Sequence, residues 1–169
     1  NILVSILDIQ DEKNTLKLFL ALDQERETNY ELLFSLLSFL HEPRIINLIK
    51  KNIIGKNTIY ALELIDNFIQ ADLKPYIVPI FDDISTVQKI KKLSKHFPQK
   101  RMGFHERLRY LIRLDYDKIS TWALAMTLEM MERIHRKKSK ENTSSEEQSF
   151  DDISLWTTEN TTKVLNQIK

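Results

Sequence analysis

The stretch Phe81-Asp82-Asp83-Ile84-Ser85 (FDDIS, residues 81–85) occurs a second time, unchanged, at residues 150–154. Two more landmarks recur in the same order along the chain: a His-Glu pair at 41–42 and 105–106, and an aromatic-Ala-Leu run at 60–62 and 122–124. The three offsets are 69, 64 and 62 residues. An ordered recurrence at nearly constant spacing is typical of chains built from repeated helical units, which stack to bury a shared core and present a surface.

The composition limits the fold class. With 169 residues, 42% apolar and 29% charged, the chain fits one compact domain or a short stack of repeats. Only two glycines and four prolines are present, too few for the regular turns of an all-β fold. The absence of cysteine excludes disulfides, thiolate metal sites and cysteine nucleophiles. We therefore predict an all-α protein of about eight to nine helices with no sheet.

Apolar spacing and turn residues place the first helices. Residues 2–9 and 15–24 read as two short helices, and Thr28 or Asn29 is expected to cap a third. In that third helix, the leucines between Leu32 and Leu40 form a wide apolar stripe, which is typical of a helix face buried in a core.

Local signals mark the starts and ends of the next helices. Pro43 suits the first turn of a helix that Gly55 closes, and Ser85-x-x-Gln88 is a capping box. The acids of the FDDIS stretch precede that box, where negative charge stabilises the helix N-terminus. We therefore interpret both copies of the stretch as helix starts rather than active sites. Trp122, which aligns with Tyr60, is expected to pack in the core.

Antiparallel helix pairs with a proline near a helix start and an Ala-Leu-rich second helix resemble HEAT repeats. The resemblance implies a right-handed α-solenoid over residues 1–135, with unit boundaries near 41 and 105. The polar stretch 136–149 is then expected to be a mobile loop, and 150–169 a terminal helix packing on the stack or on a missing domain. Three runs, NYELLFSLLSFL (29–40), YALELIDNFI (60–69) and LKPYIVPIFDDIS (73–85), look like the soluble HEAT-repeat region of bacterial ADP/ATP-translocase-type carriers.

Residue types that could support chemistry are present but scattered. The adjacent acids Asp82 and Asp83 rarely converge on one ion, and Glu63 with Asp66 would need further ligands from another helix to form a metal site. The four histidines show no metal-ligand spacing, and the two glycines cannot form a phosphate-binding loop. We therefore predict no catalytic residue, no cofactor, no metal site and no small-molecule substrate.

Charge is strongly segregated along the chain. Residues 89–140 contain 15 Lys and Arg against 5 Asp and Glu, a net charge of +10, whereas the rest of the chain carries −9. Such a segment can form a surface for an anionic partner. The candidate residues of this predicted basic surface are Lys89, Lys91, Lys92, Lys95, Lys100, Arg101, Arg107, Arg109 and Arg113.

These observations favour a non-catalytic HEAT-repeat interaction or scaffold module, expected to be a cytoplasmic part of a larger, membrane-associated, transporter-like protein. Its expected partners are another protein, another domain of the same full-length chain, or an anionic membrane surface. The chain starts at Asn1 without Met and ends inside a predicted helix, which also suggests a piece of a longer protein. The alternative is a nucleic-acid-binding protein related in fold to DNA-alkylation-repair glycosylases, although such proteins carry basic residues along most of their helices.

Overall fold

The computed structural model describes residues 1–115 and 118–141, and within these ranges it contains eight α-helices and no β-strand. The all-α prediction is therefore confirmed for this part of the chain. The second FDDIS copy, residues 142–149 of the predicted loop and the predicted terminal helix 150–169 lie outside the described residues. The helices are α1 (Ile2–Ile9), α2 (Leu16–Leu40), α3 (Pro43–Ile54), α4 (Thr58–Phe68), α5 (Lys74–Phe81), α6 (Thr86–Leu93), α7 (Phe104–Ile112) and α8 (Thr121–Glu141).

Helix α2 is one continuous helix of 25 residues, so the prediction of two helices separated near residue 28 is wrong. Thr28 and Asn29 do not cap a new helix. Their side chains instead donate hydrogen bonds to the carbonyl oxygens of Gln24 and Glu25, one turn earlier, at 3.0 and 2.7 Å. Because no glycine or proline interrupts residues 16–42, the backbone continues through these polar residues without a break.

The predicted helix starts after residue 42 agree with the structure. Pro43 occupies the first turn of α3, and Gly55 is its C-cap residue. The Ser85 hydroxyl accepts a hydrogen bond from the backbone N–H of Gln88 at 3.3 Å, while the Gln88 side chain accepts one from the backbone N–H of Ser85, also at 3.3 Å. The first FDDIS copy therefore leads into α6 through a complete capping box.

The aromatic-Ala-Leu landmarks occupy similar positions near the starts of α4 and α8. Ala61 and Ala123 are both fully buried, as expected where neighbouring helices approach closely. The aromatic residue before each alanine points outward, because Tyr60 is 42% and Trp122 46% exposed. The prediction that Trp122 packs in the core is therefore wrong.

Helix α8 extends further than the charge pattern suggested, since residues 136–141 of the predicted loop belong to it. Arg133 pairs with Glu129 at 2.7 Å and Arg136 with Glu132 at 2.5 Å, each four residues apart. Pairs at this spacing stabilise a helix surface, and no proline or glycine intervenes. A polar segment without apolar residues can therefore continue a helix, which explains why the predicted loop boundary at 136 is too early.

The buried apolar side chains form two cores. The first core joins α1, the N-terminal half of α2, α7 and α8, and the second joins the C-terminal half of α2 with α3, α4 and α5. Helix α1 contacts α2, α6 and α7, while α2 contacts α1, α3 and α8. None of the described helices combines the length and the apolarity needed to cross a membrane.

Candidate functional site

The predicted basic surface follows α6, the connection after it, and α7. Seven of its nine residues are exposed, Lys89 is half-buried and Arg107 is buried. Exposure alone does not make a basic residue available to a partner, since many of these side chains contact acids of the same chain. The exposed members are Lys91, Lys92, Lys95, Lys100, Arg101, Arg109 and Arg113.

Arg107 cannot be part of a partner surface, because only 1% of the residue is exposed. A terminal guanidinium nitrogen lies 2.7 Å from Oδ2 of Asp8 in α1, and Nε of Arg107 donates to the same oxygen at 2.9 Å. Its guanidinium also donates to the carbonyl oxygen of Lys100 and lies 5.0 Å from the ring centre of Tyr110. A buried guanidinium requires such partners, so the assignment of Arg107 to the basic surface is corrected.

Three further basic side chains form ion pairs within the chain. Arg101 also donates to Asp8, Lys92 lies 2.9 Å from Asp82, and Lys100 lies 3.3 Å from Glu106. Asp82 belongs to the first FDDIS copy, so one acid of that copy neutralises Lys92 in the helix that follows. These pairs reduce the positive charge that the surface presents to a partner.

Lys89 forms a hydrogen bond within the chain, since its ammonium group donates to the carbonyl oxygen of Ile80 at 2.8 Å. Burial and the nearby Arg26 guanidinium lower the pKa of Lys89, whereas Asp82 and Asp83 oppose that shift. The residue therefore anchors α6 to the end of α5 and is poorly placed to meet an external anion.

Lys91, Lys95 and Arg109 are exposed and form no ion pair with any residue in the described ranges. Lys91 belongs to α6, Lys95 follows it, and Arg109 lies in α7. Both helices pack against α1. This smaller set is what remains of the predicted basic surface, with the exposed Arg113 beside it.

A cavity of about 520 Å³ lies between α1, the middle of α2 and α6. Apolar side chains of α1 and α6 form much of its wall, and Arg26 and Tyr30 of α2 line it as well. Arg26 is neutralised by Asp23 at 2.9 Å and Glu27 at 2.8 Å. Burial raises the pKa of Tyr30, so its hydroxyl stays protonated at neutral pH. Glu25 of α2 also lines the cavity, and its carboxylate accepts a hydrogen bond from the backbone N–H of Ser120 at 3.0 Å. Nε of Arg26 is buried and has no hydrogen-bond partner among the described residues.

Among the described helices, none carries more exposed large apolar side chains than the C-terminal half of α2 does. Phe39 is 86%, Leu40 61%, Leu32 56% and Leu36 52% exposed. We call these four residues the α2 stripe. Only Phe34 and Leu37 of this half of the helix are buried, in the second core. The prediction that the whole leucine-rich face is buried is therefore wrong for Leu32, Leu36 and Leu40.

The α2 stripe could have been recognised from the sequence. Residues 32–40 contain no charged side chain, and their apolar residues extend over more than half of the helix circumference, with Ser35 and Ser38 on the remaining side. An apolar surface this wide requires cover on more than one side of the helix. The other helices of the second core cover one side of α2, and the stripe is the side that the described residues leave exposed.

Among the described residues, no group of three or more His, Asp or Glu side chains is placed to bind a metal ion. No protein-family model, no curated protein and no solved structure matches this chain.

Proposed function

We propose that this chain is a non-catalytic helical interaction module that binds a partner protein through the α2 stripe. The observation that carries this proposal is the exposure of four large apolar side chains on a stretch of helix without any charged residue. Soluble proteins rarely leave contiguous apolar surface exposed, and such patches mark interaction sites. Aromatic side chains such as that of Phe39 are enriched at the cores of protein interfaces.

We further propose that the module is a short HEAT-like right-handed α-solenoid. Two neighbouring helix pairs, α3 with α4 and α7 with α8, support this arrangement, because each buries an alanine at the same position of the repeat landmark. The contacts of α1 with α6 and α7, and of α2 with α8, depart from a simple stack, in which each unit contacts only its neighbours. As an interaction module of this kind, the chain would bind another protein or another domain of the full-length chain.

The interaction proposal is tested by placing a photoreactive phenylalanine analogue at Phe39 in the chain expressed in its native cell. Irradiation is expected to give a discrete covalent adduct with one protein. The matched control carries the analogue at Gln24, an exposed residue of the same helix about four turns before Phe39. Absence of an adduct at Phe39, or equal adducts at both positions, would contradict the proposal.

The exposed basic side chains of Lys91, Lys95 and Arg109 favour a second candidate function, which is binding to an anionic membrane surface. Each Lys or Arg near such a surface contributes about 1 kcal/mol. Co-sedimentation with vesicles containing or lacking anionic lipid tests this binding, and a triple substitution to Gln should abolish it.

Titration with duplex DNA at two salt concentrations tests the nucleic-acid alternative, because release of counterions produces a steep salt dependence of binding.

A further inference from the structure

Among the eight described helices, α6 alone has no buried side chain. Its apolar residues Ile90 and Leu93 are half-buried and belong to neither core. They lie three residues apart and therefore on one side of the helix. Phe97 follows one turn later, and its backbone N–H donates to the carbonyl oxygen of Leu93 at 2.8 Å. The apolar side of an amphipathic helix requires cover, and neither core supplies it for α6.

The apolar side of α6 faces the cavity of about 520 Å³ between α1, α2 and α6, since Ile90, Leu93 and Phe97 all line it. Ile2 and Leu3 of α1 contribute further apolar wall. Protein interiors are close-packed, and voids larger than a water molecule are few. A space of this size beside the apolar side of a helix without buried side chains therefore indicates a place for a bound molecule.

The volume of the cavity suits a small molecule better than a segment of protein. Ligand pockets span about 300–1,000 Å³, and the cavity lies within that range. A helix with its side chains is about 10–12 Å wide and rises about 5.4 Å per turn, so one turn fills roughly 400–600 Å³. The cavity would therefore hold about one turn of a partner helix, which is too little to anchor it.

The charged side chains that line the cavity already have partners. Arg26 pairs with two acids of its own helix, and the Glu25 carboxylate accepts the backbone N–H of Ser120. The ammonium group of Lys118 lies 2.9 Å from the carboxylate of Asp115. An ionic ligand would lose its water without gaining an unpaired counter-charge from these side chains, which is costly. The lining therefore favours an uncharged ligand.

Tyr30 supplies a polar group in the same cavity. Its hydroxyl forms no hydrogen bond with any residue in the described ranges. Because burial raises the pKa of Tyr30, the hydroxyl keeps its proton and can donate as well as accept. Ligand sites combine apolar walls with a small number of such polar groups, which fix the orientation of the ligand.

We propose that this cavity binds an uncharged, mainly apolar small molecule whose carbonyl or hydroxyl group meets the Tyr30 hydroxyl. The apolar side chains of α6 contact the body of the molecule. This inference goes beyond the proposed function, because it concerns a ligand that the chain binds and does not convert. The cavity also shares no residue with the α2 stripe.

Fluorescence titration of the 169-residue chain with Prodan, an uncharged naphthalene that carries one ketone group, tests the proposal. The wild type should bind one molecule, with a blue shift of the emission and a rise in melting temperature. Leu93→Trp should weaken binding at least about 10-fold, because the larger side chain fills the cavity. The matched control is Lys91→Trp in the same helix, an exposed position outside the cavity, which should leave binding unchanged.

The polar contact is tested with a second pair of measurements. Tyr30→Phe should weaken Prodan binding by about 3- to 10-fold, which corresponds to the net contribution of one hydrogen bond. The same substitution should not change the binding of dimethylaminonaphthalene, which has the naphthalene and amine of Prodan without the ketone.

The charge of the ligand is tested on the wild type by displacement of Prodan. Uncharged acetylnaphthalene should bind at least about 10-fold more tightly than anionic naphthoate or cationic naphthylmethylammonium, because each ion loses water without gaining an unpaired counter-charge. This comparison depends on no variant, and circular dichroism shows whether each variant is folded.

Three results would overturn the proposal or part of it. Prodan binding that is not saturable, or that Leu93→Trp and Lys91→Trp affect equally, overturns the cavity as the site. Tighter binding of either charged naphthalene than of acetylnaphthalene overturns the uncharged class of ligand. Equal Prodan affinity in the wild type and in Tyr30→Phe overturns the contact with the Tyr30 hydroxyl.

Discussion

The ion pair between Asp8 and Arg107 joins the first helix of the chain to the seventh. The Asp8 carboxylate receives hydrogen bonds from Arg107, from Arg101 and, at 3.1 Å, from the backbone N–H of Met102. Its side chain is fully buried, whereas the Arg101 side chain is 56% exposed. A buried carboxylate depends on its partners to offset the cost of losing water. The two arginines that bind it should therefore contribute very unequally to stability.

Replacing Arg107 with Met should lower the free energy of unfolding by about 3 kcal/mol, because it leaves the buried Asp8 carboxylate with less compensation. Arg101→Met is the matched control, and it should cost no more than about 1 kcal/mol, as is usual for an exposed ion pair. Urea denaturation followed by circular dichroism gives both values. Equal losses for the two variants would show that Arg107 is not a special partner of Asp8.

The sequence contained a signal for this pair that the charge count concealed. Asp8 is the only charged residue in α1, and a lone charge within an apolar helix indicates a buried partner. The net charge of residues 89–140 does not distinguish Arg107 from its exposed neighbours. Only the packing of α1 against α7 distinguishes them, and no local pattern predicts that packing.

At the scale of the helices, the continuity of α2 has a measurable consequence. If Thr28 and Asn29 lie inside a helix, replacing either with Ala should be neutral or should stabilise the protein by up to about 0.5 kcal/mol, because Ala has the higher helix propensity. If either were an N-cap, the same substitution would cost about 1 kcal/mol. Thermal or urea unfolding of the two single variants separates these outcomes.

A substitution in the capping box at the start of α6 should, in contrast, lower the stability of the protein. Ser85→Ala removes the acceptor of the Gln88 N–H and should destabilise the protein by about 1 kcal/mol. Ser85→Asp retains an acceptor and adds charge that is favourable at a helix N-terminus, so it should restore most of the loss. Urea midpoints of the three proteins provide the comparison. An Asp variant as unstable as the Ala variant would count against the cap.

Local signals predicted the helix ends well and the helix faces poorly. Pro43, Gly55 and the Ser85 capping box act through the backbone of their own turn, so their effect is readable from a few residues. The side of α2 that is buried depends on where α3, α4 and α8 lie. The apolar pattern therefore predicts burial for Leu32, Leu36 and Leu40, whereas the core reaches only Phe34 and Leu37 in this half of α2.

At the scale of the whole molecule, α2 connects two cores. Its N-terminal half packs in the core with α1, α7 and α8, and its C-terminal half packs in the core with α3, α4 and α5. Lys17 and Glu25 of α2 contact Glu129 and the backbone N–H of Ser120, so α2 and α8 run antiparallel. These contacts join residues about a hundred positions apart. The repeat landmarks could not predict them, because landmarks report local units and not how distant units meet.

Because one uninterrupted helix belongs to both cores, the two cores should unfold together. Leu22, fully buried in the first core, and Ile65, 1% exposed in the second, are matched sites for cavity-forming substitutions. Leu22→Ala and Ile65→Ala should each lower the free energy of unfolding by about 2–5 kcal/mol. Each variant should still show one transition that coincides when followed by circular dichroism and by tryptophan fluorescence. The contrary result is a pair of separate transitions, with each substitution destabilising only one core. It would show that α2 does not couple the cores and that each half of the molecule folds independently.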